Sequence, residues 1–345
     1  MSNIKISFCI PTYNRSELLS ELIESIVSQC KNRNDIEICI SDNASSDNTS
    51  EMIAKWKEST DTPIVYKVNK ENIGPDRNYL AAVDLASGEY CWLFGSDDRL
   101  LSDAIIKMDE HINEGHDIYI VDRIECDFNM KPFSHRTWMS TGSKLYNTSK
   151  RTDLIEYFNN SYAVGAVFSY LSSIIVKRSR WNRVKFNPKF IGSCYAHVFY
   201  LLDIVNNGAE LKYVKSAFVL SRGGNDSFAA NGLIKRIEID FDGYFLLGNE
   251  FFSNDFYLNS KFKAILLKEH PVIHTCIKTA MIGEFQDLNK IKRFYIELGI
   301  APYYVSIIYF FKPIYQLANK MKLSFFYKKL RKKITFKKGS FNSID

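Results

Sequence analysis

Two adjacent carboxylates, Asp97 and Asp98, follow directly on an apolar run, Tyr90 to Phe94, that ends at Gly95. The run has the length and composition of a buried strand. In an open α/β sheet, ligands sit just beyond the carboxyl ends of the strands. Carboxylates side by side there repel each other unless a cation lies between them. Hard oxygen donors suit Mg²⁺ or Mn²⁺, and such an ion can in turn hold a diphosphate. Ser-Asp-Asp is also ordinary turn chemistry, so the stretch takes its meaning from what surrounds it.

What surrounds it is regular. Ile4 to Ile10 reads as a strand, broken by Pro11-Thr12-Tyr13-Asn14-Arg15; Leu18, Leu19, Leu22, Ile23, Ile26 and Val27 then recur at helical spacing. Ile36 to Ile40 is a second strand, followed by a polar turn and a helix from about Thr49 to Lys57. Ile64 to Val68 is a third, and Asn72-Ile73-Gly74-Pro75 leads into another helix, with Pro75 at its first position, where no N–H is needed. After Tyr90–Phe94 come a helix from Asp103 and a strand over Asp117–Ile124. This alternation predicts right-handed βαβ units and a mainly parallel α/β sheet flanked by helices. From Asp127 to Ser149 the periodicity lapses; Tyr170–Val176 reads as a strand, Ala196–Asn206 as a helix, and Ser221–Ser227 as a glycine-rich loop. Beyond Leu233 the pattern is mostly helical.

A chain of 345 residues, 46% hydrophobic and 24% charged, reads as a globular protein of one large domain with additions or of two. Seven dispersed cysteines without metal spacing predict buried, reduced thiols and a cytoplasmic setting. The amino terminus enters a strand at once, so no signal peptide is expected. The longest apolar-rich run, Ile300 to Phe311, falls short of the roughly 20 residues a spanning helix needs. The net charge of +6 is local. Ten Lys and Arg and no acid lie between Lys312 and Lys338, which leaves the rest of the chain net negative.

Four segments, each at a predicted strand end, together resemble glycosyltransferase family 2. They are Pro11-Thr12-Tyr13-Asn14-Arg15, Asp42 to Asp47, Asn72-Ile73-Gly74 with Arg77-Asn78, and Ser96-Asp97-Asp98. The resemblance implies inverting enzymes of the GT-A fold that use nucleotide-sugar donors. It is strong over about Ile4 to Leu101 and weaker to about Val214. By this likeness Pro11, Tyr13 and Arg15 line the base side of a donor pocket. Asp42 would accept a hydrogen bond from a pyrimidine base. Asn72, Arg77, Asp97 and Arg222 would serve the ribose and diphosphate, and Asp98 the Mn²⁺ or Mg²⁺ ion. Arg77 can instead pair with Asp42, Asp47 can be a helix cap, and Arg222 a solvated loop residue. Relatives often carry an acid where this chain has Gly95, a departure that loosens the metal site.

The family's base is usually an aspartate just before a helix. The matching position is His197, preceded by Ala196; imidazole can take the role, its ordinary pKa lying near neutrality. A packed histidine at a helix start is the alternative, and Asp203 is a rival. The runs Asn72–Tyr79 and Tyr90–Asp98 further resemble the abequosyltransferase-type branch. That implies transfer of a 3,6-dideoxyhexose from CDP to a lipid-linked oligosaccharide in O-antigen assembly, with the aromatics between Tyr119 and Tyr146 as an apolar wall for the sugar or as core.

The expected division is a catalytic domain over 1–230 and a helical region over 231–345. Aromatics among the cations from Ile300 to Phe336 suit an interfacial helix on an anionic membrane at the inner face of the cytoplasmic membrane, or a solvated face. No nucleic-acid motif accompanies the charge. A nucleotidyltransferase would show a glycine-rich loop after the first strand and a dehydrogenase its G-x-G-x-x-G; neither is present. A sugar-nucleotide-binding module without turnover is the remaining alternative.

Overall fold

The computed structural model describes residues 4–225, 232–320 and the backbone of 341–343. The amino-terminal part runs β1 (Ile6–Thr12), α1 (Ser16–Val27), β2 (Ile36–Asp42), α2 (Thr49–Ser59), β3 (Ile64–Val68), α3 (Pro75–Asp84), β4 (Tyr90–Leu93), β5 (Arg99–Leu100), α4 (Ala104–Ile112) and β6 (Ile118–Cys126). The middle holds β7 (Pro132–Arg136), β8 (Lys144–Asn147), α5 (Arg151–Asn160), β9 (Ile174–Lys177), α6 (Arg178–Trp181), α7 (Ala196–Asn206) and the long β10 (Glu210–Arg222). Helices follow: α8 (Leu233–Phe252), α9 (Phe256–Glu269), α10 (Val272–Ile282), α11 (Phe285–Glu297), α12 (Pro302–Phe310) and α13 (Lys312–Lys320), with a short β11 (Phe341–Ser343) pairing β7.

The expected parallel sheet is present for the first hundred residues, in the order β3-β2-β1-β4. It does not continue to β6. β9 inserts antiparallel between β4 and β6, β10 runs parallel to the other edge of β6, and β5 and β8 pair antiparallel with β10. The sheet is therefore mixed. The stretch over 127–149, read as loop or irregular strand, contains β7 and β8, whose short, polar, aromatic composition gives neither a clean period of two nor of 3.6. The strand expected over Tyr170–Val176 begins as a 3-10 turn, Leu171–Ser173, and becomes β9 only at Ile174. Ser221 and Arg222, expected in a loop, end β10.

Both sheet faces are covered, which is why the inner strands read as unbroken apolar runs. Alternate residues separate the faces. Ile6, Phe8 and Ile10 pack with Ile36, Ile38 and Ile40 against α1 and α4. Cys9, Cys91 and Leu93 face the other way, in a cluster shared with α3, α5, α7, α8, α9 and α11. That one cluster runs across residue 230, so the carboxyl-terminal helices close the second face of the sheet. All seven cysteines are free and all but Cys194 are buried.

Candidate functional site

β1 and β4 lie side by side and in parallel, with Cys9 opposite Leu93, and the Phe94 N–H donates to the Cys9 carbonyl at 3.0 Å. Pro11 and Gly95 are thereby delivered to the same sheet edge. There a cleft of about 500 Å³ opens, lined among others by Pro11, Arg15, Gly95–Asp98, Arg123, Tyr170, Ser172, His197, Arg222–Asn225 and Arg236. Four arginines line it against three acids, Asp97, Asp98 and Glu125, a small excess of positive charge suited to a polyanion such as a diphosphate.

Asp98 is the most tightly held of the acids. Its Oδ2 accepts from the Tyr170 and Ser172 hydroxyls, both at 2.5 Å, and its Oδ1 from the Arg222 N–H at 3.1 Å. Ser172 is itself pinned: its hydroxyl oxygen accepts from the Gly95 N–H and its carbonyl from the Trp92 indole N–H, both at 2.9 Å. Burial, and then the charge of Asp97, push Asp98 up to about 6 against those three donors. Asp97 Oδ2 meets Arg15 Nη1 at 3.0 Å and accepts from Asn225 Nδ2 at 2.8 Å. A Cβ at Gly95 would stand 3.2 Å from an oxygen of each aspartate, so an acidic side chain there would crowd both. Among the described residues no three His, Cys, Asp or Glu converge on one point. The donor set fits a cation that takes one or two carboxylates and fills its shell with water and substrate phosphates, and not an all-protein cage.

His197 sits in the first turn of α7, 2% exposed. Its Nε2 lies 3.0 Å from the Phe168 carbonyl, and its Nδ1 has no protein partner. A carbonyl only accepts, so Nε2 carries the hydrogen and Nδ1 the free lone pair. Burial pulls the imidazole down to about 4, which leaves it neutral at pH 7. Backbone strain flanks it on both sides, with Phe168 at φ 74° and Cys194 at φ 67°, a region costly for side chains of this size. The entry to α7 is fixed by Asp76, whose buried carboxylate accepts N–H groups of Gly192 (2.7 Å), Cys194 (3.0 Å) and Ala196 (3.1 Å). Asp203, farther along α7, does not line the cleft.

Arg222 is fully engaged. Nε donates to the Asp97 carbonyl at 2.9 Å, Nη1 to the Phe128 carbonyl and Nη2 to Glu21 on α1, both at 2.5 Å. The guanidinium ties three elements together at the rim.

Of the ten residues assigned from sequence, Pro11, Arg15, Asp97, Asp98, His197 and Arg222 line this cleft, and Tyr13, Asp42, Asn72 and Arg77 do not. Tyr13 is 45% exposed. Asp42 is fully buried, taking the Ser45 N–H on Oδ1 at 2.8 Å and the Tyr66 hydroxyl on Oδ2 at 2.6 Å. Asn72 Oδ1 closes a turn with Asn43 Nδ2 (2.8 Å) and the Gly74 N–H (3.0 Å). Arg77 is exposed on the first turn of α3. Asp47, one residue before the N-cap Asn48 of α2, accepts from Thr49 and from the Ser16 N–H at the starts of α2 and α1.

Sequence reasoning missed Tyr170, Ser172, Arg123 and Arg236. Arg123 carried a signal, a cation inside an apolar strand; its guanidinium lies 4.1 Å from the Tyr170 ring centre and pairs with Glu125 at 3.0 Å. Arg236 pairs with Asp240 one helical turn on, and Asp240 also accepts the Tyr195 hydroxyl. Of the aromatics between Tyr119 and Tyr146, Phe133 reaches the cleft, whereas Tyr119, Trp138 and Tyr146 are core.

The glycosyl transferase family 2 model matches residues 7–178. The chain is 43% identical over 331 residues to an abequosyltransferase of Salmonella typhimurium, covering 95% of this chain and 99% of that one. It is 32% identical over 192 residues, 55% of this chain and 57% of the other, to a GalNAc(5)-diNAcBac-PP-undecaprenol beta-1,3-glucosyltransferase of Campylobacter jejuni. In three dimensions it is similar to S. aureus TarS 1-349 crystallised with UDP-GlcNAc. The TM-score is 0.62 at 13% identity, over 94% of this chain and 92% of that one, a likeness of fold.

Proposed function

The chain belongs to glycosyltransferase family 2, and from that premise we propose that it moves one sugar, with inversion, from a nucleoside-diphosphate donor to a lipid-linked oligosaccharide in surface polysaccharide synthesis. The favoured donor is a CDP-3,6-dideoxyhexose such as CDP-abequose; a UDP- or dTDP-sugar is the second choice. The likeness to the abequosyltransferase along nearly its whole length supports the sugar, and the undecaprenol-linked substrate in the name of the glucosyltransferase supports the acceptor class. The observation that carries the reading is the pairing of Asp97 and Asp98 with four arginines in one cleft.

In this reading Pro11 and Arg15 flank the nucleotide, and Asn72, Arg77, Tyr13 and Asp42 form an outer tier at the neighbouring strand ends. Asp97 orients the ribose side. Asp98 would hold Mn²⁺ or Mg²⁺, which supplies positive charge to the diphosphate as it leaves. Arg222 exchanges its hold on Glu21 for the same developing charge. His197, neutral and with Nδ1 unpartnered, is the candidate to take the acceptor hydroxyl proton as that oxygen attacks the anomeric carbon from the face opposite the diphosphate. The burial that lowers it to about 4 makes it a weaker base than the near-neutral imidazole expected from sequence. Because the acceptor carries a lipid, the protein works against the inner face of the cytoplasmic membrane. Among the described residues no helix is long and apolar enough to cross one.

The test is a calorimetric titration with CDP, UDP, dTDP and GDP, with and without Mn²⁺. One pyrimidine diphosphate should bind, more tightly with Mn²⁺, and lose that gain in Asp98→Ala. Failure of all four to bind would overturn the reading.

A further inference from the structure

α12 and α13 are each nine residues long and present apolar side chains to solvent. On α12 Tyr303, Ile307 and Phe310 recur at four- and three-residue spacing and so share one stripe. Val305, on the opposite side, is the residue of that helix buried completely. On α13 Ile314 and Leu317 form a second stripe, and no residue of this helix is buried. The five side chains are between 56% and 79% exposed. Single exposed apolar residues are ordinary; a consecutive pair of helices facing solvent this way marks an interaction surface.

We propose that this α12–α13 face is the membrane-docking surface of the protein, inserted shallowly into an anionic bilayer. The inference rests on the lipid-linked acceptor read above, and charge selects the occupant. From Lys312 to Lys338 the sequence holds ten Lys and Arg and no acid, beginning at the first residue of α13. That composition is complementary to anionic headgroups, each cation near such a surface contributing about 1 kcal/mol. Of these cations α13 itself carries Lys312 and Lys320, and it holds no acid. A second copy of the chain docked on the same helix would set like charges against each other, which disfavours self-association. Length excludes spanning. Nine residues rise about 14 Å as helix, against a hydrocarbon core of about 30 Å. Short helices with apolar stripes beside cations lie in the interface plane instead.

The experiment floats the purified full chain with phosphatidylcholine vesicles, with and without phosphatidylglycerol, alongside the double variant Phe310→Ser/Ile314→Ser. Both side chains are solvent-exposed, so thermal unfolding should be unchanged. The wild type should float with the anionic vesicles and the variant should lose about tenfold or more of that partitioning. Turnover onto a water-soluble acceptor should stay the same in both. Equal flotation of variant and wild type overturns the proposal, because the cations alone then suffice. So does a wild type that stays in solution, or one that forms a dimer by light scattering which the double variant abolishes. Nucleoside diphosphate binding in the same preparation separates the two readings. Flotation without nucleotide binding defeats the transferase reading and leaves the surface standing; nucleotide binding without flotation does the reverse.

Discussion

His197 Nε2 lies 3.0 Å from the carbonyl oxygen of Phe168, a buried residue held at a left-handed φ of 74°. A non-glycine residue in that region costs on the order of 1–3 kcal/mol, and the carbonyl it aims fixes the imidazole tautomer. The proton is committed to Nε2 and Nδ1 is left as the acceptor.

His197→Ala should keep nucleoside diphosphate binding and lower kcat by about a hundredfold or more, the usual worth of a general base. Unchanged turnover would remove His197 from the mechanism. The shift also has a stability signature. With a folded pKa of about 4 against 6.5 ordinarily, the unfolded chain takes up a proton between those values and the folded one does not. The contribution is present above pH 6.5 and lost as pH falls toward 4, roughly 3 kcal/mol in all. Denaturant unfolding of wild type and His197→Ala across that window should differ in slope with this sign.

Asp98 carries the opposite sign. Raised to about 6 by burial and then by Asp97, its protonated form favours the fold, and that contribution is lost as pH rises through 6. Cation binding needs the ionised carboxylate, so the Mn²⁺-dependent gain in nucleotide affinity should fall as pH drops below about 6. Tyr170→Phe removes one of the two hydroxyls on Oδ2. A hydrogen bond to a charged group contributes about 1.5–3 kcal/mol, so its loss should favour protonation of Asp98, weaken Mn²⁺-dependent nucleotide binding at pH 7 by roughly two- to fifteenfold in calorimetry, and move the pH midpoint upward.

Asp76→Ala leaves three backbone N–H groups, those of Gly192, Cys194 and Ala196, without their acceptor. At about 1 kcal/mol or more each, the loss should reach about 3 kcal/mol in denaturant unfolding. Where the variant still folds, kcat should drop while donor binding persists, because the loop before His197 and not the donor side is released.

Glu21→Gln removes the carboxylate now paired with Arg222. Arg222 then gives up less when it turns to a diphosphate, so nucleotide affinity should hold or improve by about two- to threefold, in keeping with the small worth of a part-exposed ion pair. Arg222→Ala should weaken binding. Calorimetry of both variants under one condition decides whether Arg222 exchanges partners or is only a strut.

By itself the sequence determined the succession of strands, turns and helices over the first hundred residues, and it singled out Pro11, Arg15, Asp97 and Asp98 among the residues of the cleft. Tyr13, Asp42, Asn72 and Arg77, read from the same strand ends, lie outside it. Strand, turn and helix there follow one another locally. Parallel strands end at the same edge, so Pro11, Arg15, Asp97 and Asp98 were bound to share one; that β4 lies directly beside β1, with β2 and β3 on the other side, was decided by the tertiary structure. Only the tertiary structure decided the rest. Asp42 looked like a free acceptor until β3 brought Tyr66 onto it, and β9 reads in sequence like any other strand although it enters antiparallel. Tyr170 and Ser172 reach Asp98 across more than seventy residues, Arg222 across more than a hundred, and Asp76 reaches α7 across a similar span. Periodicity reports which face of an element is buried. It carries no information about which distant element covers that face, because that is set by packing between surfaces that look alike in composition.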